Sequence, residues 1–158
     1  MDFQVGDQVI HWSFGPGEIV ELDEKEISGK SETFYVFQTP TVKLWVPRSD
    51  SELCSLRYVT PASEFKQLFE ILTGPASPLS EDRFERRTRL NERLKDGGLD
   101  SVCHVLRDLT VYGRTKKLNE YDQTILERAR NTLVSEWVIS LKTPRMQALK
   151  ELGDLLAQ

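Results

Sequence analysis

The sequence predicts an α+β protein, with a small antiparallel β-barrel of the SH3 or Tudor type at the N-terminus and a compact all-α domain after it. Three observations carry this. Up to Val59 the chain consists of short runs rich in β-branched and aromatic residues, set off by turn residues. From Ser80 onward, apolar residues recur at helical spacing between capping residues. Between these regions, Gly74-Pro75-Ala76-Ser77-Pro78 has the composition of a linker. The expected boundaries are therefore 1–60 for the barrel, 61–78 for a connecting helix and linker, and 79–158 for the helical domain.

The expected strands are Gln8 to Trp12, Gly17 to Leu22, Thr33 to Phe37, Val42 to Val46 and Leu56 to Val59. Phe14-Gly15-Pro16-Gly17, Ser28-Gly29-Lys30 and Pro40 supply the turns between them, through residues that permit or pre-set unusual φ. The acidic run Glu21 to Glu26 reads as a strand end and a solvated loop. Thr60 and Pro61 then suit the cap and first position of a helix that buries Phe65, Leu68, Phe69 and Leu72.

Four more helices follow. Ser80 suits the cap of the first, which has Glu81 and Asp82 at the positive end of its dipole and is stopped by Asp96-Gly97-Gly98. The second buries Val102, Val105, Leu106 and Leu109. The third opens at Asn119 with Asp122 three residues on, and buries Leu126, Ala129, Leu133 and Trp137. Thr143-Pro144 opens the fourth, which offers Leu149, Leu152 and Leu156. Short loops between them imply antiparallel neighbours.

Composition narrows the function classes. A chain of 158 residues, 39% apolar and 29% charged, can bury a real core. It has no apolar run of the roughly 18 residues a membrane span needs, and its opening MDFQVGDQVI lacks a basic-then-apolar signal, which implies a cytoplasmic protein. Cys54 and Cys103 stand far apart in apolar surroundings and read as reduced core thiols. His11 and His104 are solitary and read as structural imidazoles, so no metal site is expected. No phosphate loop, nucleophile elbow, His-Glu-x-x-His or paired-Cys motif occurs, which argues against an enzyme and against a cofactor.

Charge is unevenly shared. Residues 1–78 hold 6 Lys/Arg against 12 Asp/Glu, while Arg83 to Lys95 holds six basic residues against two acidic ones. With a net charge of −4 over the whole chain, such a patch supports only weak binding to free nucleic acid. A helix beginning with Arg83 and Phe84 is open to two readings. It is a solvated helix with one core contact, or a device for entering a nucleic-acid groove.

The order of these features is similar to a known family. Phe3-Gln4-Val5-Gly6-Asp7-Gln8-Val9, the glycine turn in HWSFGPGEIVEL, Ile27-Ser28-Gly29, Phe34-Tyr35, Val46-Pro47 and Leu56-Arg57 resemble the RNA-polymerase-interacting domain of the CarD/CdnL bacterial transcription regulators. RFERRTRLNERLKDGGLDSVCHVLRDL and KKLNEYDQTILERARNTLVSE resemble that family's helical DNA-facing domain, in the same order. The barrel module also occurs in the transcription-repair coupling factor, but there it is attached to a helicase.

The resemblance implies that the barrel binds the β subunit of RNA polymerase, partly by strand addition along Lys43 to Pro47, with Lys25 on the neighbouring turn. Lys25, Lys43, Trp45, Val46 and Pro47 are the implied contact residues. Trp45 stands where some members have arginine, so apolar or stacking contact replaces an ion pair there. Trp45 and Val46 also suit core or edge packing. In the helical domain, Phe84 aligns with a tryptophan that wedges into the minor groove at the upstream edge of the opened promoter, near the −10 element. Arg86, Arg87 and Arg89 align with phosphate-contacting residues that position rather than read sequence.

The implied function is stabilisation of the promoter open complex, with polymerase and promoter DNA as partners and no small-molecule substrate. The competing reading is a polymerase-bound adaptor whose helical domain recruits a second protein or dimerises without touching DNA. An autonomous repressor is disfavoured, because no recognition helix with a symmetric dimer pattern stands out.

Overall fold

The computed structural model describes residues 2–11, 13–48 and 55–157, and the chain divides after Val59 into two compact units. The first is a five-stranded antiparallel sheet built from β1 (Gln8–His11), β2 (Gly15–Ile27), β3 (Lys30–Gln38), β4 (Lys43–Pro47) and β5 (Leu56–Tyr58). Its order is β4-β3-β2-β1-β5, which leaves β4 and β5 as the edges. Trp12 and Cys54, read as a strand end and a core thiol, lie outside the described residues.

β2 runs further than its sequence suggests. The stretch Glu21 to Glu26, read as a solvated loop, is paired residue by residue with β3 as far as Ile27 opposite Lys30. The hairpin then closes over Ser28 and Gly29, both at positive φ (54° and 78°), a turn whose twist matches that of the flanking strands. Partner-strand hydrogen bonds thus override the poor strand propensity of acidic residues.

One face of the sheet encloses Phe3, Val9, Ile19, Tyr35, Phe37, Val46 and Leu56. Gly17 is required for this closure, since a Cβ there would sit 2.4 Å from the Phe37 ring. His11 is structural. Its Nδ1 accepts from the Ser13 and Phe14 backbone N–H groups at 3.0 and 3.2 Å, and burial holds its pKa below the ordinary value.

The second unit is helical, with α1 (Phe65–Thr73), α2 (Arg83–Leu94), α3 (Leu99–Thr115), α4 (Glu120–Ser140) and α5 (Arg145–Leu156). No described helix is long and apolar enough to cross a membrane. α1 starts later than expected, because Pro61 precedes a 3₁₀ turn at Ala62–Glu64. Thr60 does not cap it. Its N–H donates to Glu136 Oε2 at 2.7 Å, and its carbonyl accepts from Ser140 Oγ at 2.6 Å.

The segment read as a connector is built into the helical unit. Phe65, Leu68 and Leu72 of α1 share one core with Val102, Cys103 and Leu106 of α3, Leu133 and Trp137 of α4, and Leu152 of α5. Each such burial contributes about 1.5–3 kcal/mol, more than any linker contact could supply. Phe69 is half-buried, its ring centroid 4.8 Å from that of Trp137. The linker is also pinned, since Ser77 N–H donates to the buried Asp108 at 3.0 Å, a carboxylate that also takes Arg93 and Arg107. His104 sits beside this network, its Nδ1 3.1 Å from Arg107 Nη2.

A second, smaller cluster of Leu90, Val105, Leu109 and Ile125 attaches α2 to α3 and α4. α4 opens with the capping box read from the sequence, Asn119 and Asp122 each satisfying the other's backbone N–H. Cys103 is fully buried in the main core, and burial pushes its thiol up to about 12. Iodoacetamide at pH 8, with modified sites mapped by mass spectrometry, is therefore expected to label Cys103 only once the protein is unfolded. Labelling in the native protein would contradict this packing.

Candidate functional site

Two surfaces carry the residues singled out above, one on each unit. On the sheet, β4 alternates: Leu44 and Val46 turn toward the core, while Lys43, Trp45 and Pro47 lie on the outer face. Trp45 pairs with Val36 of β3, and Asp23 of β2 stands opposite Phe34. This register brings Trp45 to Asp23, and its indole N–H donates to Asp23 Oδ2 at 3.0 Å. Lys25 Nζ lies 5.0 Å and Lys43 Nζ 5.6 Å from the centre of the same ring. Each exposed cation–π contact contributes about 0.5–1 kcal/mol, enough with the hydrogen bond to fix the indole's orientation while it remains 43% exposed.

Lys25, Lys43, Trp45 and Pro47 thus form one outer face beside a strand that, among the described residues, is an edge of the sheet. Along that edge alternate backbone groups of β4 point away from β3. Val46 differs, because its side chain is buried in the sheet core. Of its two readings, core packing is the one realised, and only its backbone is available at the edge. Asp23, which orients the tryptophan, escaped the sequence reading because it sits 22 residues away in an acidic run.

The second surface is built on α2. Its cap is Asp82, not Ser80. Asp82 accepts from the Phe84 and Glu85 N–H groups at 2.9 and 3.0 Å, and the N–H groups of Glu85 and then Phe84 hold its carboxyl below the ordinary range. Ser80 Oγ instead accepts from Asp82 N–H and donates to Glu85. With the helix start fixed there, Phe84 falls in the first turn, 65% exposed and outside both apolar clusters of this unit. The Arg83 guanidinium carbon lies 4.9 Å from its ring centre.

Arg86 is not a phosphate contact. It is 4% exposed, and its Nε and Nη2 donate to the two oxygens of Asp122 at 3.0 and 2.8 Å. Its Nη1 donates to the Ser80 carbonyl at 2.9 Å. These Asp122 hydrogen bonds raise its pKa above the ordinary value, so the guanidinium keeps its charge although buried. The cause lies in the helical period, since Arg86 precedes the buried Leu90 by four residues and so shares its inward face. Arg86 therefore pins the start of α2 to the start of α4 and sets the direction in which Phe84 projects.

Arg87 and Arg89 are exposed as expected. Arg89 pairs with Glu85 at 2.5 Å across one helical turn. Such a surface pair is worth only about 0.3–0.5 kcal/mol and exchanges readily for another anion. Arg87 lies over the ring of Tyr121 on α4, a residue the sequence reading passed over because Glu120 and Asp122 on either side mark a helix start rather than a site. Among the described residues, no group of three His, Cys, Asp or Glu side chains is placed to hold a metal ion.

Two family models match successive parts of the chain. Residues 3–60 match the family described as the CarD-like/TRCF RID domain, and residues 67–153 match the family described as the CarD C-terminal domain. The chain is also 27% identical over 140 residues to the Bacillus subtilis (strain 168) protein YdeB, whose name assigns it provisionally as a transcription factor. That alignment covers 85% of this chain and 89% of YdeB.

Proposed function

The chain belongs to the CarD/CdnL family of non-enzymatic, RNA-polymerase-interacting transcription proteins, and from that premise we propose that it stabilises the promoter open complex in the bacterial cytoplasm. The sheet unit holds the β subunit of polymerase through the β4 edge, a partner strand adding to the open backbone while Trp45, Lys25 and Lys43 meet its side chains. The helical unit holds the upstream edge of the bubble near the −10 element. The observation that carries this reading is Phe84, a large aromatic kept 65% exposed at the head of a helix whose start is pinned by a buried ion pair.

An exposed ring presented from a capped and ion-paired helix start fits an apolar wedge at an unstacked base step. The acidic character of the chain is compatible with this role. A protein tethered to polymerase reaches effective concentrations on the order of millimolar at its DNA site, so a few uncommitted cations are enough.

The test joins tether to effect. Wild-type protein is expected to bind the isolated β subunit and to lengthen open-complex lifetimes on promoters whose open state is unstable. Lys43→Glu combined with Trp45→Glu, on the outer face of β4, should lose both. If that double variant loses β-subunit binding yet keeps the lifetime effect, the tether assignment fails. If the wild type binds the β subunit but changes no lifetime, the adaptor reading replaces this one.

A further inference from the structure

The basic residues of α2 are not equivalent. Among the described residues, Arg86, Arg89 and Arg93 each have a carboxylate within ion-pair distance, whereas Arg83 has none and neither does Arg87. Its partner is instead an aromatic ring, with the guanidinium carbon 3.8 Å from the centre of Tyr121. One turn further along α2, the Asn91 amide donates to Tyr121 Oη at 3.2 Å. Phe84, Arg87 and Asn91 follow one another at intervals of three and four residues, so they form one stripe that Tyr121 joins from α4.

Arg128, two turns beyond Tyr121 on α4, is exposed and likewise has no carboxylate partner among the described residues. The Asn91 hydrogen bond, then Arg87 and more distantly Arg128, hold the Tyr121 phenol below its ordinary pKa.

We propose that Arg87 is a pre-oriented phosphate fork for the nucleic-acid backbone, with Tyr121 and Asn91 as its positioning residues and Arg128 as a second source of charge. A guanidinium binds phosphate best through two parallel N–H donors in one plane. Contact with Tyr121, at the ring face and through the phenol oxygen, limits where that plane can lie, and among the described residues no carboxylate competes for the remaining N–H donors. A solvated arginine must lose rotamer freedom to reach the same geometry, and the contact with Tyr121 removes part of that freedom before binding. The fork lies one turn from Phe84, so a duplex whose fork junction meets the ring presents its backbone to Arg87. The inference rests on the reading of this face as DNA-contacting, and it adds α4 to that face.

The experiment compares affinity of the full-length protein for polymerase alone and for the polymerase–promoter open complex, over a range of salt concentrations. The ratio of the two affinities isolates the DNA contribution. Arg87→Lys keeps the charge but loses the fork, and should cut the ratio by roughly tenfold, the scale of one charge-assisted contact. Tyr121→Ala should lower it by a similar factor while leaving the salt slope unchanged, because no charge is removed. Arg87→Ala should also reduce the slope by about 1. Tyr121→Phe, which keeps the ring but loses the Asn91 hydrogen bond, should fall between wild type and Tyr121→Ala.

If Arg87→Lys or Tyr121→Ala matches wild type while Phe84→Ala lowers the ratio, the fork is wrong and the DNA reading survives. If promoter DNA adds nothing to the affinity of the wild type, the DNA reading falls and the fork falls with it.

Discussion

Alanine at Arg86 is expected to destabilise the helical unit by about 3–5 kcal/mol, whereas alanine at Arg87 or Arg89 changes it by less than about 0.5 kcal/mol. The difference comes from burial. Arg86 and Asp122 are 4% and 1% exposed, and removing the arginine leaves a carboxylate in a low-dielectric site with too few donors. Asp122→Ala should cost somewhat more, because Asp122 Oδ2 also accepts from the Asn119 N–H in the capping box of α4, worth about 1 kcal/mol.

The two effects should not add. Once Arg86 is gone, removing Asp122 relieves an uncompensated charge, so the double variant should unfold near the less stable single variant rather than at the sum of both. The measurement is the urea midpoint of the helical circular-dichroism signal. A wild-type midpoint for Arg86→Ala would mean that the guanidinium is solvated and returns to the pool of residues available to DNA.

The ion pair also marks where reading from sequence stops. Features that depend on a few neighbours were legible. The capping box needs only Asn119 and Asp122, the hairpin turn needs only Ser28-Gly29, and the outward face of β4 follows from the alternation Lys43-Leu44-Trp45-Val46. Features set by distant partners were not. β2 reaches Ile27 because β3 supplies hydrogen bonds that acidic residues do not predict. The start of α1 moves from Pro61 to Phe65 because Glu136 and Ser140 hold Thr60 in place.

For the same reason only part of the candidate site could be read. Phe84 stands off the inward face marked by Leu90 and can be recognised as exposed by its helical angle alone. Arg86 sits on that inward face, a position that a count of positive charges cannot distinguish from its neighbours. Whether an inward arginine is tolerable depends on a carboxylate 36 residues away. Tyr121 and Asn91 acquire meaning only when α2 and α4 are laid side by side.

Alanine at Phe84 is expected to remove most of the lifetime that the protein adds to open complexes while leaving its folding intact. The ring is exposed and belongs to neither apolar cluster, so its loss should change stability by less than about 0.5 kcal/mol. Contact between an aromatic ring and an unstacked base is worth about 1–3 kcal/mol. The added lifetime should therefore shrink by roughly 5- to 150-fold, bounded by the size of the wild-type effect. Affinity for the isolated β subunit should not change, since the β4 surface is untouched.

Phe84→Trp sharpens the argument, because it offers a larger face and an indole N–H that can reach a base or sugar acceptor, both of which a wedge can use. It should match or exceed the wild-type lifetime. A ring that served only to cover the arginines would show the opposite pattern, with alanine tolerated and tryptophan indifferent. If Phe84→Ala keeps the full lifetime effect, the helical unit acts on the complex without a wedge, and its contribution must come from the cations of α2 and α4 alone.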